Sequence, residues 1–206
     1  MIVALNPSDV THRRAAAELH GRLLPESPIA ALGQGFMQDF YYRLLVRDGL
    51  IACDLYRLDG KYVGFASYTK YPFTFMKRGY RKHFWPLALC LGQSVLARPA
   101  RIGVLIQIPG VAAKRASAET HKTGEFLSFG VEAGYGTCRD AATGKKIPNL
   151  LFENLMGYFR GKDFDRLQFI VRKENRPSLL FFNAYGAQIE TSSYVSPDAF
   201  LMSVKL

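Results

Sequence analysis

EFLSFGVEAGYGTCRDAATGKKIPNLL occupies residues 125–151 and carries the pattern that decides the fold. Residues 126–131 are mostly apolar and extended in character, which is typical of a buried strand. A polar segment with three glycines follows, and apolar residues then recur at three-and-four spacing from Leu150 onward. The stretch therefore predicts a strand, a long loop and a helix that starts within or just after residues 143–149.

The residues before this stretch predict a strand, two helices and a hairpin. Residues 1–6 alternate like a strand, and Ser8 is a suitable N-cap for the first helix. Apolar residues at three-and-four spacing predict a second helix over residues 28–46. Asp59-Gly60 separates the two β-type runs of residues 50–69, and this dipeptide favours a two-residue hairpin turn because both residues tolerate positive φ.

Residues 72–123 differ from the rest of the chain in charge. They contain nine Lys and Arg residues against one acid, Glu119, and so carry most of the formal net charge of +10. Helical patterns near 84–97 and 100–114 are interrupted by proline, which predicts a basic helical insertion. After residue 160 the sequence predicts a strand at 166–171, a helix at 177–183 and terminal strands near 187–195 and 199–205.

Composition excludes several classes of protein. The three cysteines are widely spaced without a CxxC pair, and no two of the four histidines have the spacing of a helical metal site, so we expect no disulfide framework and no metal. The N-terminus lacks the pattern of a signal peptide, and no apolar run approaches the roughly 18 residues of a membrane span. We therefore expect a cytoplasmic protein.

Four segments recur in the order and spacing of a known family. They are ALGQGFMQDFY at 31–41, LDGKYVGFASY at 58–68, GKKIPNLL at 144–151 and QFIVRKEN at 168–175, and Gly186 keeps the family's spacing from Asn175. Together they resemble the GNAT superfamily of acyl-CoA N-acyltransferases over nearly the whole chain. The resemblance implies an α/β fold with a central mixed, mostly antiparallel sheet flanked by helices. It also implies one domain, 1–206, with the insertion 72–123 between the third and fourth strands.

The same resemblance implies acetyl-CoA, or another acyl-CoA, as co-substrate. Its pantetheine arm would lie along the strand at Phe129, Gly130 and Val131, where an N–H near Gly130 or Val131 steadies the oxyanion. Its pyrophosphate would lie over the loop, and Asn175 at the next strand end would reach toward it. The loop residues concerned are Thr143, Gly144, Lys145, Lys146, Ile147, Pro148 and Asn149. A helix start with lysines attracts phosphate, although an ordinary solvated turn fits the local sequence as well.

Two residues are predicted to be catalytic. Glu125 lies six residues before Val131, where some members of the family carry a general base that acts through water, and Glu132 is the weaker alternative. Phe182 stands where the family often has tyrosine and cannot donate a proton, so Tyr185 is the predicted general acid. The alternatives are a solvated charge for Glu125, a core aromatic for Tyr185 and protonation of the thiolate by solvent.

These features predict transfer of an acetyl or other short acyl group to the primary amine of a small molecule. The basic insertion favours an anionic acceptor, such as a nucleotide-linked amino sugar. The alternatives are a long-chain or membrane-associated N-acyltransferase, whose insertion makes peripheral membrane contact, and a CoA-binding protein without turnover. No nucleic-acid-binding motif accompanies the charge, so nucleic acid is not an expected partner. The sequence does not indicate an oligomeric state.

Overall fold

A computed structural model describes residues 1–72, 74–97, 99, 122–190 and 195–206. The strands are β1 Ile2–Ala4, β2 Ala52–Leu58, β3 Lys61–Thr69, β4 Thr123–Val131, β5 Arg166–Arg172, β6 Gln188–Glu190 and β7 Ala199–Lys205. The helices are α1 Val10–Leu23, α2 Pro28–Ala31, α3 Phe36–Leu45, α4 Phe75–Lys82, α5 Phe84–Ala97, α6 Ile147–Arg160 and α7 Arg176–Ala184. Helix α3 is a π-helix.

The seven strands form one sheet in the order β1-β2-β3-β4-β5-β7-β6. Every neighbouring pair is antiparallel except β4 and β5, which run parallel. The predicted hairpin is confirmed, since Asp59 and Gly60 have φ of 47° and 82°, as the two central residues of its turn require. The predicted place of the insertion is also confirmed, because β3 and β4 are adjacent in the sheet although residues 70–122 separate them.

The first two helices differ from the prediction in their details. Asp9, not Ser8, caps α1, because the Asp9 carboxylate accepts hydrogen bonds from the N–H groups of Thr11 and His12. The predicted single helix over 28–46 is divided into α2 and α3, with Gly33 at φ 94° between them. A right-handed helix cannot pass through that conformation, which glycine adopts without steric cost.

Two hydrophobic cores lie on the two faces of the sheet. Helices α1 and α3 cover one face, where their buried residues include Leu19, Phe40 and Leu45. Helices α6 and α7 cover the other face, where Phe152 and Phe182 lie in the second core. Strand β4 contacts both layers, since space for a side chain at Gly124 is taken by Phe159 of α6 and at Gly130 by Leu23 of α1.

The insertion is helical where the structure describes it. The helix predicted near 84–97 is present as α5, whereas α4 was not predicted as a separate helix. The helix predicted near 100–114 lies outside the described residues. The division of the chain as a single domain with insertion 72–123 stays a prediction.

Candidate functional site

A fork in the sheet opens between the two parallel strands. β4 and β5 pair only at Thr123–Arg166, Gly124–Leu167 and Glu125–Gln168. Beyond these pairs β4 stays paired with β3 as far as Val131, and β5 stays paired with β7. On its β5 side, the edge of β4 from residue 126 to 131 therefore faces the fork without a strand partner in the described chain.

The direction of the backbone groups along this edge can be read from the pairing with β3. The N–H of Glu132 donates to the carbonyl of Val63 at 2.9 Å. Because N–H groups alternate in direction along a strand, those of Phe129 and Val131 point away from β3 and toward the fork. The N–H of Gly130 belongs to the pairing with β3. Of the two backbone N–H groups predicted to stabilise the oxyanion, those of Gly130 and Val131, only the one of Val131 points into the fork.

Aromatic side chains fill the α7 side of the fork. The Phe129 ring stacks on Phe181 at 5.9 Å, and the buried Phe182 contacts both. Phe182 also contacts Phe126 and Phe169, one from each strand of the fork. Phe182, which stands where the family often has tyrosine, is therefore a core aromatic residue that packs against both strands.

The loop before α6 is ordered by Asp140. One carboxylate oxygen accepts a hydrogen bond from the Tyr56 hydroxyl at 2.6 Å, and the other accepts from the N–H and hydroxyl of Thr143 at 3.0 Å each. These hydrogen bonds hold the pKa of Asp140 below its usual value, with the Tyr56 bond as the main cause. Gly144 has φ of 69°, and Arg139 donates to its carbonyl at 2.6 Å. Sequence reasoning did not identify Arg139 or Asp140.

The start of α6 offers fewer free N–H groups than its position predicts. The Ile147 N–H donates to the Cys138 carbonyl at 3.1 Å, and Pro148 has no backbone N–H. Within the first turn this leaves the N–H of Asn149 for a ligand. Lys145 pairs with Glu153 at 2.6 Å, whereas Lys146 is exposed and pairs with no carboxylate in the described chain. Of the predicted phosphate contacts, Lys146 and Asn149 are therefore the most available.

Tyr185 lies beside the fork on the α6 and α7 side of the sheet. Its hydroxyl donates to Glu153 at 3.2 Å, and its ring packs on Phe152 and Phe181. Burial, followed by the nearby Glu153 charge, raises the pKa of Tyr185 to about 12. A CoA thiolate resembles a thiol of pKa about 8.5, so proton transfer from this tyrosine to it is uphill.

Glu125 lies on the opposite side of the sheet, beneath α3. Its side chain is buried, and its charge contributes to a raised pKa of Tyr41, whose main cause is burial. In the same layer the buried His20 contacts the Tyr42 hydroxyl at 2.8 Å and the Ser27 hydroxyl at 3.0 Å. Burial lowers the pKa of His20 to about 4, so this histidine is neutral at neutral pH. The two predicted catalytic residues therefore lie on different faces of the sheet.

The remaining predicted residues have partners of their own. Asn175 caps α7, since its side-chain oxygen accepts a hydrogen bond from the Ser178 N–H at 3.2 Å. That leaves its amide nitrogen for a ligand. Glu132, the alternative base, pairs with Arg22.

A pocket of about 630 Å³ lies away from the fork, where β1, β2 and β3 meet α6. Within it the Asp54 carboxylate accepts hydrogen bonds from Tyr68 at 3.0 Å and Asn154 at 2.8 Å. Burial raises the pKa of Asp54, and these two bonds oppose that rise. No residue of β4 or β5 lines this pocket, so it is separate from the fork. Among the described residues there is also no cluster of three or more potential metal ligands.

Comparisons with known proteins bear on the fold. No protein-family model matches the sequence, and no curated protein does. Solved structures do match. PaiA N-acetyltransferase from Thermoplasma acidophilum, in complex with coenzyme A, is 12% identical with a TM-score of 0.57, over 100% of this chain and 99% of that one. A GNAT-family acetyltransferase from Streptococcus pneumoniae is 15% identical with a TM-score of 0.54, over 100% and 98%.

The chain has the GNAT acetyltransferase fold. The ribosomal-protein-S18-alanine N-acetyltransferase from Escherichia coli shares that fold at 12% identity and a TM-score of 0.52, over 100% of this chain and 94% of its own. The fork between β4 and β5 is thus part of a fold that several N-acetyltransferases use. At these identities the comparison supports the GNAT fold alone and assigns no residue a role.

Proposed function

We propose that the protein is an N-acyltransferase that moves an acetyl or other short acyl group from acyl-CoA to a primary amine. The fork carries this proposal. It presents the N–H groups of Phe129 and Val131 along an unpaired strand edge, which suits the amide groups of a pantetheine arm. PaiA N-acetyltransferase, whose structure has a similar fold, was solved in complex with coenzyme A.

In this proposal the cofactor runs from the fork to the loop before α6. Phe129, Gly130 and Val131 line the pantetheine arm, and the segment from Thr143 to Asn149 receives the pyrophosphate. Within that segment Lys146 and the Asn149 N–H are the available contacts, and Arg139 adds charge beside them. The amide nitrogen of Asn175, three residues beyond the end of β5, is a further proposed contact to the same ligand.

The reaction needs a neutral amine, whose nitrogen attacks the thioester carbonyl carbon. The carbonyl oxygen then takes negative charge that the Val131 N–H stabilises. The C–S bond breaks, and the thiolate takes a proton from solvent. The Tyr185 hydroxyl, which donates to Glu153 in the free protein, would turn to the thiolate as a hydrogen-bond donor. The attacking nitrogen loses its proton toward Glu125. Phe129 lies four positions after Glu125, about 13 Å along a strand, so that proton travels through water.

The acceptor in this proposal is a small anionic molecule that carries a primary amine, such as a nucleotide-linked amino sugar. The support is the excess of Lys and Arg between residues 72 and 123. On the described part of this segment, Lys77, Arg78 and Arg81 are exposed and pair with no carboxylate there. Such charges raise the local concentration of anions.

Cofactor binding is tested by calorimetric titration of the full chain with acetyl-CoA, longer acyl-CoAs and free CoA. We expect Lys146→Ala to weaken binding more than Lys145→Ala, because Glu153 already pairs with Lys145. Lys162→Ala is the matched control, since Lys162 lies just beyond the other end of α6 against the Tyr158 ring. If no CoA species binds, the proposed function is wrong.

Turnover is tested by following free CoA release with a panel of amines. Removing a general base typically costs about 10²–10⁴-fold in rate, and we expect Glu125→Gln to show a loss in that range with acetyl-CoA affinity unchanged. Unchanged turnover across pH would remove Glu125 from the mechanism. Binding of acetyl-CoA without acyl transfer to any amine would instead identify a CoA-binding protein that lacks catalysis.

A further inference from the structure

The outer face of α5 is apolar although it faces solvent. Phe84, Trp85, Leu89 and Leu96 are 60%, 76%, 68% and 85% exposed. Ala88 and Gly92 are also exposed, so the four-residue spacing 84, 88, 92, 96 forms one stripe along the helix. The helix contains no charged residue. Scattered exposed hydrophobic residues are normal, but a continuous stripe of them marks an interaction site.

The preceding helix, α4, presents a basic outer face. Its exposed residues are Lys77, Arg78, Arg81 and Lys82, and it contains no acid. Lys82 pairs with Asp48 at 3.0 Å, but no carboxylate of the described chain pairs with the other three. A cationic face thus directly precedes an apolar one, with His83 as the only residue between the two helices.

Both helices are fixed to the body of the protein. His83 contacts the Asp48 carboxylate at 2.5 Å. Burial raises the pKa of Asp48, but the hydrogen bonds from His83, Lys82 and Arg47 outweigh burial and leave that pKa below its usual value. The inner face of α5 is buried at Leu87 and Ser94, and the Ser94 hydroxyl donates to the Leu32 carbonyl. The apolar stripe is therefore the side of α5 turned away from the fold.

We propose that α4 and α5 form a docking surface for an anionic phospholipid bilayer. The docking surface consists of the basic face of α4 and the apolar stripe of α5, which lies flat in the interface with its 14 residues spanning about 21 Å. Lysine and arginine match anionic headgroups, and Trp85 and Phe84 suit the boundary between headgroups and acyl chains. No described helix is long and apolar enough to cross a membrane, so the contact is peripheral.

Trp85 reports directly on this surface, because it is the single tryptophan of the chain. The full-length protein is titrated with vesicles of phosphatidylcholine alone and with vesicles that contain phosphatidylglycerol. We expect Trp85 emission to move to shorter wavelength with the anionic vesicles and to stay unchanged with the neutral ones. The readout needs no CoA and no turnover, so its result is independent of the proposed function.

Two paired variants test the two parts of the docking surface. Each Lys or Arg near an anionic surface contributes about fivefold to partitioning, so Lys77→Glu with Arg81→Glu should reduce it about 30-fold or more. Leu89→Ser with Leu96→Ser should reduce it about tenfold or more. Lys61→Glu with Lys205→Glu is the matched control, because it makes the same change in net charge at exposed positions elsewhere and should retain binding.

Four results would overturn the proposal. The first is no emission shift with anionic vesicles, and the second is an equal shift with neutral vesicles. The third is binding that survives both paired variants. The fourth is a shift that follows protein concentration without lipid, which would identify self-association through α5. Thermal melting of each variant confirms that a loss of binding is not a loss of folding, since all of the substituted side chains are exposed.

Discussion

Gly124→Ala should destabilise the protein through one identifiable contact. A Cβ at position 124 would lie 2.2 Å from Cε1 and 2.5 Å from Cδ1 of Phe159, which is fully buried. Neither group can yield easily, since Gly124 pairs with Leu167 of β5 and its neighbour Glu125 pairs with Thr69 of β3, while Phe159 lies in the core between the sheet and α6. Overpacking of this kind costs about 1–3 kcal/mol. For a chain of this size, we expect a melting temperature about 2–12 °C lower.

A double-mutant cycle measured by urea unfolding isolates that contact. Phe159→Leu alone should cost about 1–2 kcal/mol as a modest loss of core volume. Combined with Gly124→Ala, it should cost less than the sum by at least about 0.5 kcal/mol, because the smaller side chain admits the new methyl group. Gly157→Ala is the control. Position 157 lies inside α6 and no atom is within 4 Å of the new Cβ, so this substitution should stabilise the protein by up to about 1 kcal/mol. Strict additivity in the cycle would refute the steric explanation.

Three further predictions concern buried titratable groups and the loop. The pKa of His20 is lowered in the folded state, so its contribution of about 3 kcal/mol to the free energy of unfolding is present above pH 6.5 and is lost as pH falls toward 4. In urea unfolding at different pH values, His20→Gln should flatten that part of the pH dependence. The pKa of Asp54 is raised in the folded state, so its ionisation lowers the free energy of unfolding as pH rises. Asp54→Asn should therefore be more stable than the native protein at pH 7 but not near pH 3. Asp140→Ala removes the acceptor for Tyr56 and Thr143 and should weaken CoA binding by calorimetry, whereas Tyr56→Phe, which loses one of those bonds, should weaken it less.

The elements that the sequence predicted well depend on local rules. The hairpin at Asp59-Gly60 needs only two residues that tolerate positive φ, and α5 and α6 show apolar spacing strong enough to be recognised alone. The division between α2 and α3 was missed because Gly33 inside an apolar pattern resembles a tolerated helix glycine. Nothing in the apolar spacing distinguishes a π-helix from an α-helix of similar burial.

The internal contacts of the candidate site could not be predicted in the same way. Asp140 is fixed by Tyr56, which lies 84 residues away in sequence, and Lys145 is neutralised by Glu153 only once α6 has formed. The separation of Glu125 and Tyr185 onto two faces follows from the alternation along β4 and from the packing of α7. Each depends on tertiary geometry that residue types and spacing do not contain.

The internal hydrogen bonds of the loop before α6 determine how this loop could bind a phosphate. The N–H groups of Thr143, Gly144 and Lys145 already donate within the loop, and that of Ile147 donates to Cys138. A loop of this kind cannot surround phosphate with backbone donors as an open, glycine-rich loop does. Recognition then depends on side-chain charge, chiefly Lys146 with Arg139 beside it. Exposed charges are screened strongly by salt. We therefore expect CoA affinity to fall steeply with ionic strength and Lys146→Ala to remove much of that dependence; affinity that salt leaves unchanged would contradict a phosphate site built on these side chains.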